Sequence, residues 1–416
     1  KRLHMSAVYI GRQPILDRNM KLFAYELQFH QGLNPNQQTI EASAQLLAKT
    51  ESEIGLQSIV GGHTALINLP RDLMIQSHDF ASFVDKNNLV LEIPNHVDKD
   101  VDVLKRLKGL KSEGASIALD NFIKDDASLK LAKISDFVKV DNEAMSEVKM
   151  KSVIEELHQN GKKVIAEKVD TEEMYQYLKK LGFDYFQGYF FTNPVVINGQ
   201  KLTGNKLTLL QILAKINDPN TSFKELSNIL SKDVALTHKL LVAVNNPVSM
   251  IPIEVETVSD ALNYMGLKRL KFWVNMMMLS DLNDVPKELL ITSLMRAKFC
   301  EALAIKAGLQ RYKDSYFLVG LFSNLEAFFR MPMAEIVAEM PLSEDIKRAL
   351  VAREGPMGEA LNCLSELEST SEDFDKLTFE KLSISDIATL FMEASAWAHQ
   401  ASIDWFGVYS NRPTPI

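Results

Sequence analysis
The chain has 416 residues, enough for two or three domains that each bury a core. Apolar residues make up 46% and charged residues 24%, a balance that excludes a disordered or collagenous chain. The formal net charge of -8 disfavours nucleic acid as the main partner, because a polyanion selects a basic surface. Two cysteines, Cys300 and Cys363, cannot build a disulfide framework or a cysteine-rich zinc site. No apolar run approaches the ~20 residues of a membrane helix. Lys1–His4 read as residues added ahead of Met5, with no signal peptide. The expectation is a cytoplasmic protein that does not enter a membrane.

From Met5 to about Pro194, short apolar runs alternate with amphipathic stretches. The runs are Lys21–Phe29, His63–Leu69, Asn88–Ile93, Ala115–Leu119, Asp136–Val140, Lys163–Ala166 and Tyr185–Phe191. Between them, Ile40–Ile54, Asp100–Glu113, Asp126–Ile134 and Ser152–Gly161 repeat apolar residues at helical spacing. Gly114 and Gly161 stand where helix stops belong. Strand–helix–strand alternation predicts a parallel sheet. The number of repeats favours a closed β/α barrel over a doubly wound sheet, spanning residues 5–194.

After Pro194 the rhythm changes. Val195–Lys206, with Gly199 and Gly204, reads as a linker. Helical patterns follow over Leu207–Ile216, Ser222–Leu230, Val234–Val244, Val258–Met265, Lys268–Leu279, Lys287–Ala307 and Tyr312–Phe329. Asp233, Thr257 and Asp314 are candidate caps. Residues 207–416 are predicted to form an all-α domain, so the fold class is α/β followed by all-α. Within it, His238 reads as a surface or packing residue, and Met276–Met278 beside Trp273 as helix core. Lys268, Arg269 and Lys271 read as a solvated basic helix face.

The apolar runs of the first half share an ending. Each closes on or beside a polar residue: Glu26, Asn68, Glu92, Asp120, Lys139, Glu167 and Gln187. In a β/α barrel the carboxyl ends of the strands converge, so residues scattered through the sequence meet in one mouth. Four carboxylates, two amides and an ammonium there suit a hard cation such as Mg²⁺, Mn²⁺ or Ca²⁺.

On these residues the first half resembles the EAL domain, a barrel family that linearises cyclic di-GMP. The matching pieces are Tyr25-Glu26-Leu27, Ile67-Asn68-Leu69, Leu91-Glu92-Ile93 and Asp120-Asn121-Phe122. Val138-Lys139-Val140-Asp141, Ala166-Glu167-Lys168-Val169-Asp170-Thr171 and Gln187-Gly188-Tyr189 follow in order. The resemblance implies a two-metal hydrolysis with Mg²⁺ or Mn²⁺. Glu26, Asn68, Glu92 and Asp120 would hold the first metal; the residue after Asp120 and the Glu of the sixth strand would hold the second. Lys139 would orient water, with Glu167 and Asp170 completing the catalytic set, and His30 and Gln187 would meet the nucleotide. Four departures stand against that pattern. Asn121 replaces a second Asp, Ile123-Lys124-Asp125-Asp126 lacks the family's loop glycines, His30 replaces an Arg, and Asp170 replaces a Glu. The implied consequence is a degenerate site with little or no diesterase activity. The alternative is an active phosphodiesterase, rescued by Glu167 with Asp125 or Asp126.

The second half resembles the HDOD domain, a helical relative of the HD phosphohydrolases. The likeness runs from about Leu207 to Asp404 and is strongest through Leu230–Leu241, Val244-Asn245-Asn246 and Val258–Leu270. Gly320-Leu321-Phe322 is followed by Ser323-Asn324, where an HD enzyme has its metal-binding His-Asp pair. The resemblance therefore implies a domain without metal chemistry, working through contact with a protein partner. Together the two halves imply a regulatory protein of cyclic di-GMP signalling.

Overall fold
The computed structural model describes residues 8–31, 59–68, 88–95, 101–141 and 145–192, then 204–218, 220–232, 234–245, 254–280, 282, 285–368 and 377–410. The expected helix Ile40–Ile54 lies outside them. The chain divides into two compact units. One comprises residues 1–195, 305–308 and 363–396; the other comprises 196–304, 309–362 and 397–416. The expected single helical block over 207–416 differs, since 305–308 and 363–396 group with the barrel. Compactness follows which apolar faces close together, and Leu377, Phe379, Ile387 and Phe391 are all buried.

The first half is a closed barrel of β1 (Val8–Asp17), β2 (Leu22–Gln31), β3 (Thr64–Asn68), β4 (Leu89–Ile93), β5 (Ser116–Leu119), β6 (Phe137–Asp141), β7 (Lys163–Glu167) and β8 (Tyr185–Gln187). Seven strands lie where the apolar runs predict. The eighth, β1, was not expected; Pro14, Arg12 and Gln13 interrupt its apolar pattern. It is also antiparallel to both β2 and β8, so the sheet is parallel only from β2 onward. Outside the barrel lie α1 (Val101–Ser112), α2 (Asp126–Ile134), α3 (Glu147–Gln159) and α4 (Glu172–Leu181). Asp125 caps α2 by accepting from the Ser128 N–H at 2.7 Å. Thr171 caps α4 through the Met174 N–H at 3.2 Å.

The helical unit opens with α5 (Gly204–Asn217), which begins inside the expected linker. Then come α6 (Phe223–Lys232), α7 (Val234–Val244), α8 (Val258–Ser280), α9 (Lys287–Lys306), α10 (Lys313–Phe322) and α11 (Leu325–Phe329). The two segments expected at 258–265 and 268–279 form one element broken at Gly266, whose φ of 75° leaves the helical region. Thr257 caps α8, accepting from the Asp260 N–H at 3.1 Å. Asp314 is no cap; it sits in the first turn of α10 and pairs with Lys268. Asp233 lies outside the described residues. Met276, Met277 and Met278 are core, each 1% exposed, and His238 is exposed. Among the described residues no helix is long and apolar enough to cross a membrane.

Candidate functional site
The barrel interior is built in two layers by strand alternation. Side chains two apart on a strand share a face. The lower layer is apolar: Ile15, Ala24, Leu66, Val90, Ala118 and Ile165, with Phe23, Phe137 and Tyr185 packed against it. Two residues further along seven of these strands stand Glu26, Asn68, Glu92, Asp120, Lys139, Glu167 and Gln187. Because β1 runs the other way, its contribution, Gln13, precedes Ile15 by two and pairs in register with Glu26. A residue at a strand's carboxyl end is thereby forced into the mouth by the apolar residue beneath it.

Lys139 stands at the centre. Its Nζ lies 2.7 Å from Glu26 Oε2, 2.9 Å from Glu92 Oε1, 2.9 Å from Glu167 Oε1 and 3.5 Å from Asp120 Oδ1. The side chain is 2% exposed. Burial alone would pull its ammonium down, but Glu167, Glu26, Glu92 and Asp120 outweigh that and hold it well above its ordinary range. Burial, reinforced by Glu26, keeps the Glu92 carboxyl well above the carboxylate range. Burial likewise lifts Glu167 to about 7 against the pull of Lys139. Four carboxylates share one ammonium, and this excess of negative charge is relieved by protons or by a further cation.

Other groups on β1 and β8 brace this end of the barrel, Gln13 and Gln187 from within and, by strand alternation, Arg12 on the outer face. Gln187 Nε2 donates to Gln13 Oε1 at 2.6 Å and to Glu26 Oε2 at 2.5 Å. The Arg12 guanidinium lies 4.3 Å from the Tyr25 ring centroid and donates to the Ile59 carbonyl at 3.3 Å. Tyr189 donates its hydroxyl to the Arg12 carbonyl at 2.6 Å. Gly188, at φ 144°, lets two backbones meet, since a Cβ there would lie 2.1 Å from the Val169 carbonyl oxygen. Arg12 and Gln13 escaped the sequence reading because β1 did; the alternation of Gln13 with Ile15 was the available signal.

The metal expectation has a definite chemical footing. Among the described residues no three His, Cys, Asp or Glu side chains form a group spaced to share an ion; the Lys139 ammonium fills the point on which the carboxylates converge. The donor set is nevertheless all oxygen, from Glu26, Asn68, Glu92 and Asp120 on successive strands. Glu92 Oε2 is buried with no hydrogen-bond partner. These donors fit a hard divalent cation.

In the helical unit, Ser323 and Asn324 belong to a different kind of cluster. Arg296 Nη1 on α9 donates to Ser323 Oγ at 3.2 Å and to Asn324 Oδ1. Asn324 Nδ2 passes on to Ser293 Oγ at 3.0 Å. Gly320 allows the approach, because a Cβ there would lie 2.3 Å from the Arg296 carbonyl oxygen.

The EAL domain family matches over residues 27–194 and the HDOD domain family over residues 206–348. The chain carries an EAL domain followed by an HDOD domain. The cyclic di-GMP phosphodiesterase CdgJ of Vibrio cholerae is 27% identical over 407 residues, 95% of this chain and 93% of that protein. The uncharacterized protein YuxH of Bacillus subtilis is 26% identical over 404 residues, 94% of this chain and 98% of its own length. A solved EAL domain protein from Listeria monocytogenes is 22% identical, with a TM-score of 0.37, covering 44% of this chain and 87% of its own.

Within the EAL domain, the residues expected at the site part into two groups. Glu26, Glu92, Asp120, Lys139, Glu167 and Gln187 converge, and Asn68 stands in register with Glu92. Asn121 does not join them. It is exposed with a φ of 51°, its carbonyl accepts from Asn95 Nδ2 at 2.6 Å, and among the described contacts its side chain bonds none of the cluster. Asp170 is exposed and is not a partner of Lys139. Asp125 is spent on the α2 cap, which holds its carboxyl below the usual range, and Asp126 is exposed in the first turn. His30 pairs with Tyr9 in the β1–β2 ladder, and its side chain lies outside the described residues.

Proposed function
We propose that this is a cytoplasmic cyclic di-GMP signalling protein whose EAL domain binds the dinucleotide and cleaves it weakly or not at all. The observation that carries the reading is the split between neighbours: Asp120 faces Lys139 in the cluster, whereas Asn121 is an exposed neutral amide outside it. Glu26, Asn68, Glu92 and Asp120 would hold one Mg²⁺ or Mn²⁺, which supplies Lewis-acid activation of a phosphoryl oxygen and of water. Lys139 keeps the carboxylates aligned and offsets their repulsion. Glu167, near neutrality at about 7, is suited to take up a proton at physiological pH. His30 and Gln187 would meet the nucleotide, and Asp170 would serve any residual hydrolysis. In this reading the HDOD domain binds no metal and passes the state of the barrel to a protein partner. Nucleic acid is disfavoured by the charge of -8.

Calorimetry with cyclic di-GMP, with and without Mg²⁺ or Mn²⁺, combined with a turnover assay, tests this. Saturable binding with little linear dinucleotide is expected, and Asn121→Asp should raise cleavage. Turnover near that of an intact EAL enzyme, abolished by Glu26→Ala, would overturn the reading in favour of an active phosphodiesterase. That second reading is favoured by the 27% identity to CdgJ along 95% of the chain.

A further inference from the structure
The helical unit contains a cavity of about 770 Å³ beside the Gly266 break in α8, within the size range of small-molecule sites. Phe272, Phe317 and Trp397 line it. Their ring centroids are 5.9 Å (Phe272–Phe317), 6.2 Å (Phe272–Trp397) and 6.4 Å (Phe317–Trp397) apart. All three are only half-buried, and Lys298 Nζ lies 5.5 Å from the Trp397 ring centroid.

The same cavity is lined by Lys268, Arg269 and Lys271 against Glu301 and Asp314. Both acids are engaged. Asp314 pairs with Lys268, and Glu301 lies 2.8 Å from Lys298 and 4.0 Å from Lys268. Lys271 is differently placed. Its Nζ donates to a neutral acceptor, the Asp218 carbonyl oxygen at 3.3 Å, and burial pulls its ammonium down against the influence of the Asp218 charge. An anion brought beside it would reverse that cost. A helical run restarts at Leu267 after Gly266, which has no side chain to cap it, and helix starts favour negative charge.

We propose that this cavity binds a nucleotide-class anion, with a planar heteroaromatic ring against Phe272, Phe317 and Trp397 and its phosphate at Lys271. Rings suit stacking on a flat base, and an ammonium whose described bond goes to a neutral carbonyl suits a single phosphoryl group. The site lies wholly in the helical unit and does not depend on the chemistry of the barrel.

The full chain, titrated calorimetrically with GMP, AMP, guanosine and inorganic phosphate, decides the matter. Saturable binding of GMP or AMP is expected, with guanosine and phosphate alone at least about tenfold weaker. Lys271→Gln should weaken the nucleotide at least about tenfold, Lys271→Arg should restore most of it, and Phe317→Leu should weaken it with an unchanged circular dichroism spectrum. Glu92→Gln, in the barrel, should leave it unaltered. Absence of saturable binding by either nucleotide, indifference to Lys271→Gln, equal affinity for phosphate, or loss on Glu92→Gln would each overturn the proposal.

Discussion
In the barrel, the Lys139 ammonium is held within 2.9 Å of oxygens of Glu26, Glu92 and Glu167. In the helical unit, the buried Arg296 guanidinium meets a hydroxyl and an amide, Ser323 and Asn324. Burial, with the neighbouring carboxylates adding to it, shifts Glu92 and Glu167 upward against the pull of Lys139, so the cluster can still exchange protons or accept a cation. Around Arg296 the described partners are neutral and pass their hydrogen bonds on to Ser293. Both clusters order a buried cation. The first surrounds that cation with carboxylates that can titrate, and the second meets it, through Ser323 and Asn324, with groups that do not.

The comparison breaks most sharply at Lys139. Lys139→Met leaves four carboxylates without their shared cation, and removing one partner from a buried ion cluster costs about 3–5 kcal/mol. Denaturant unfolding at neutral pH should show that loss, with partial recovery in acid as the carboxylates protonate. An unchanged midpoint would mean that water already screens the cluster.

Glu167 sharpens the same contrast through pH. Its folded pKa of about 7 lies above its ordinary value of 4.5, so between those values the folded state binds more protons than the unfolded one. Its contribution therefore favours folding below about 4.5 and is lost as pH rises toward 7, by an amount on the order of a few kcal/mol. Glu167→Gln should flatten that part of the stability profile. A profile with the same slope in both proteins would contradict the assignment.

On the helical side, Asn324→Ala should cost about 1–3 kcal/mol, because Arg296 and Ser293 lose a buried partner. It should leave cyclic di-GMP binding as it was; a change in that affinity would show that the cluster is more than structural. The smallest effect belongs to Asp125→Ala, which removes the α2 cap at about 1 kcal/mol. If Asp125 instead served a second metal, this variant would lose metal-dependent cleavage with little change in stability.

Much of the barrel was legible because strand alternation is a period-two code. An apolar residue followed two places later by Glu, Asp, Asn, Lys or Gln at a strand end predicts a polar layer above an apolar one, and seven of the eight strands obeyed it. β1 was missed because Pro14 and the inward Gln13 break the apolar run, and its antiparallel sense places Gln13 before Ile15 instead of after it. The break in α8 was legible at Gly266, since few other residues tolerate its backbone conformation. The fate of Asp125 was not. A carboxylate just before a helix can cap it or bind a cation, and only its bond to the Ser128 N–H decides.

By itself, then, the order of residues determined the element types apart from β1, the change from strand–helix alternation to helices and the seven polar strand ends, because local periodicity and side-chain chemistry are written along the chain. The tertiary structure alone decided that Lys139 stands between the carboxylates, that Asn121 stays outside them, and that Lys271 shares a cavity with Phe317 and Trp397. Those are distances between residues far apart in sequence, and they follow from barrel closure and helix packing, which no local pattern encodes.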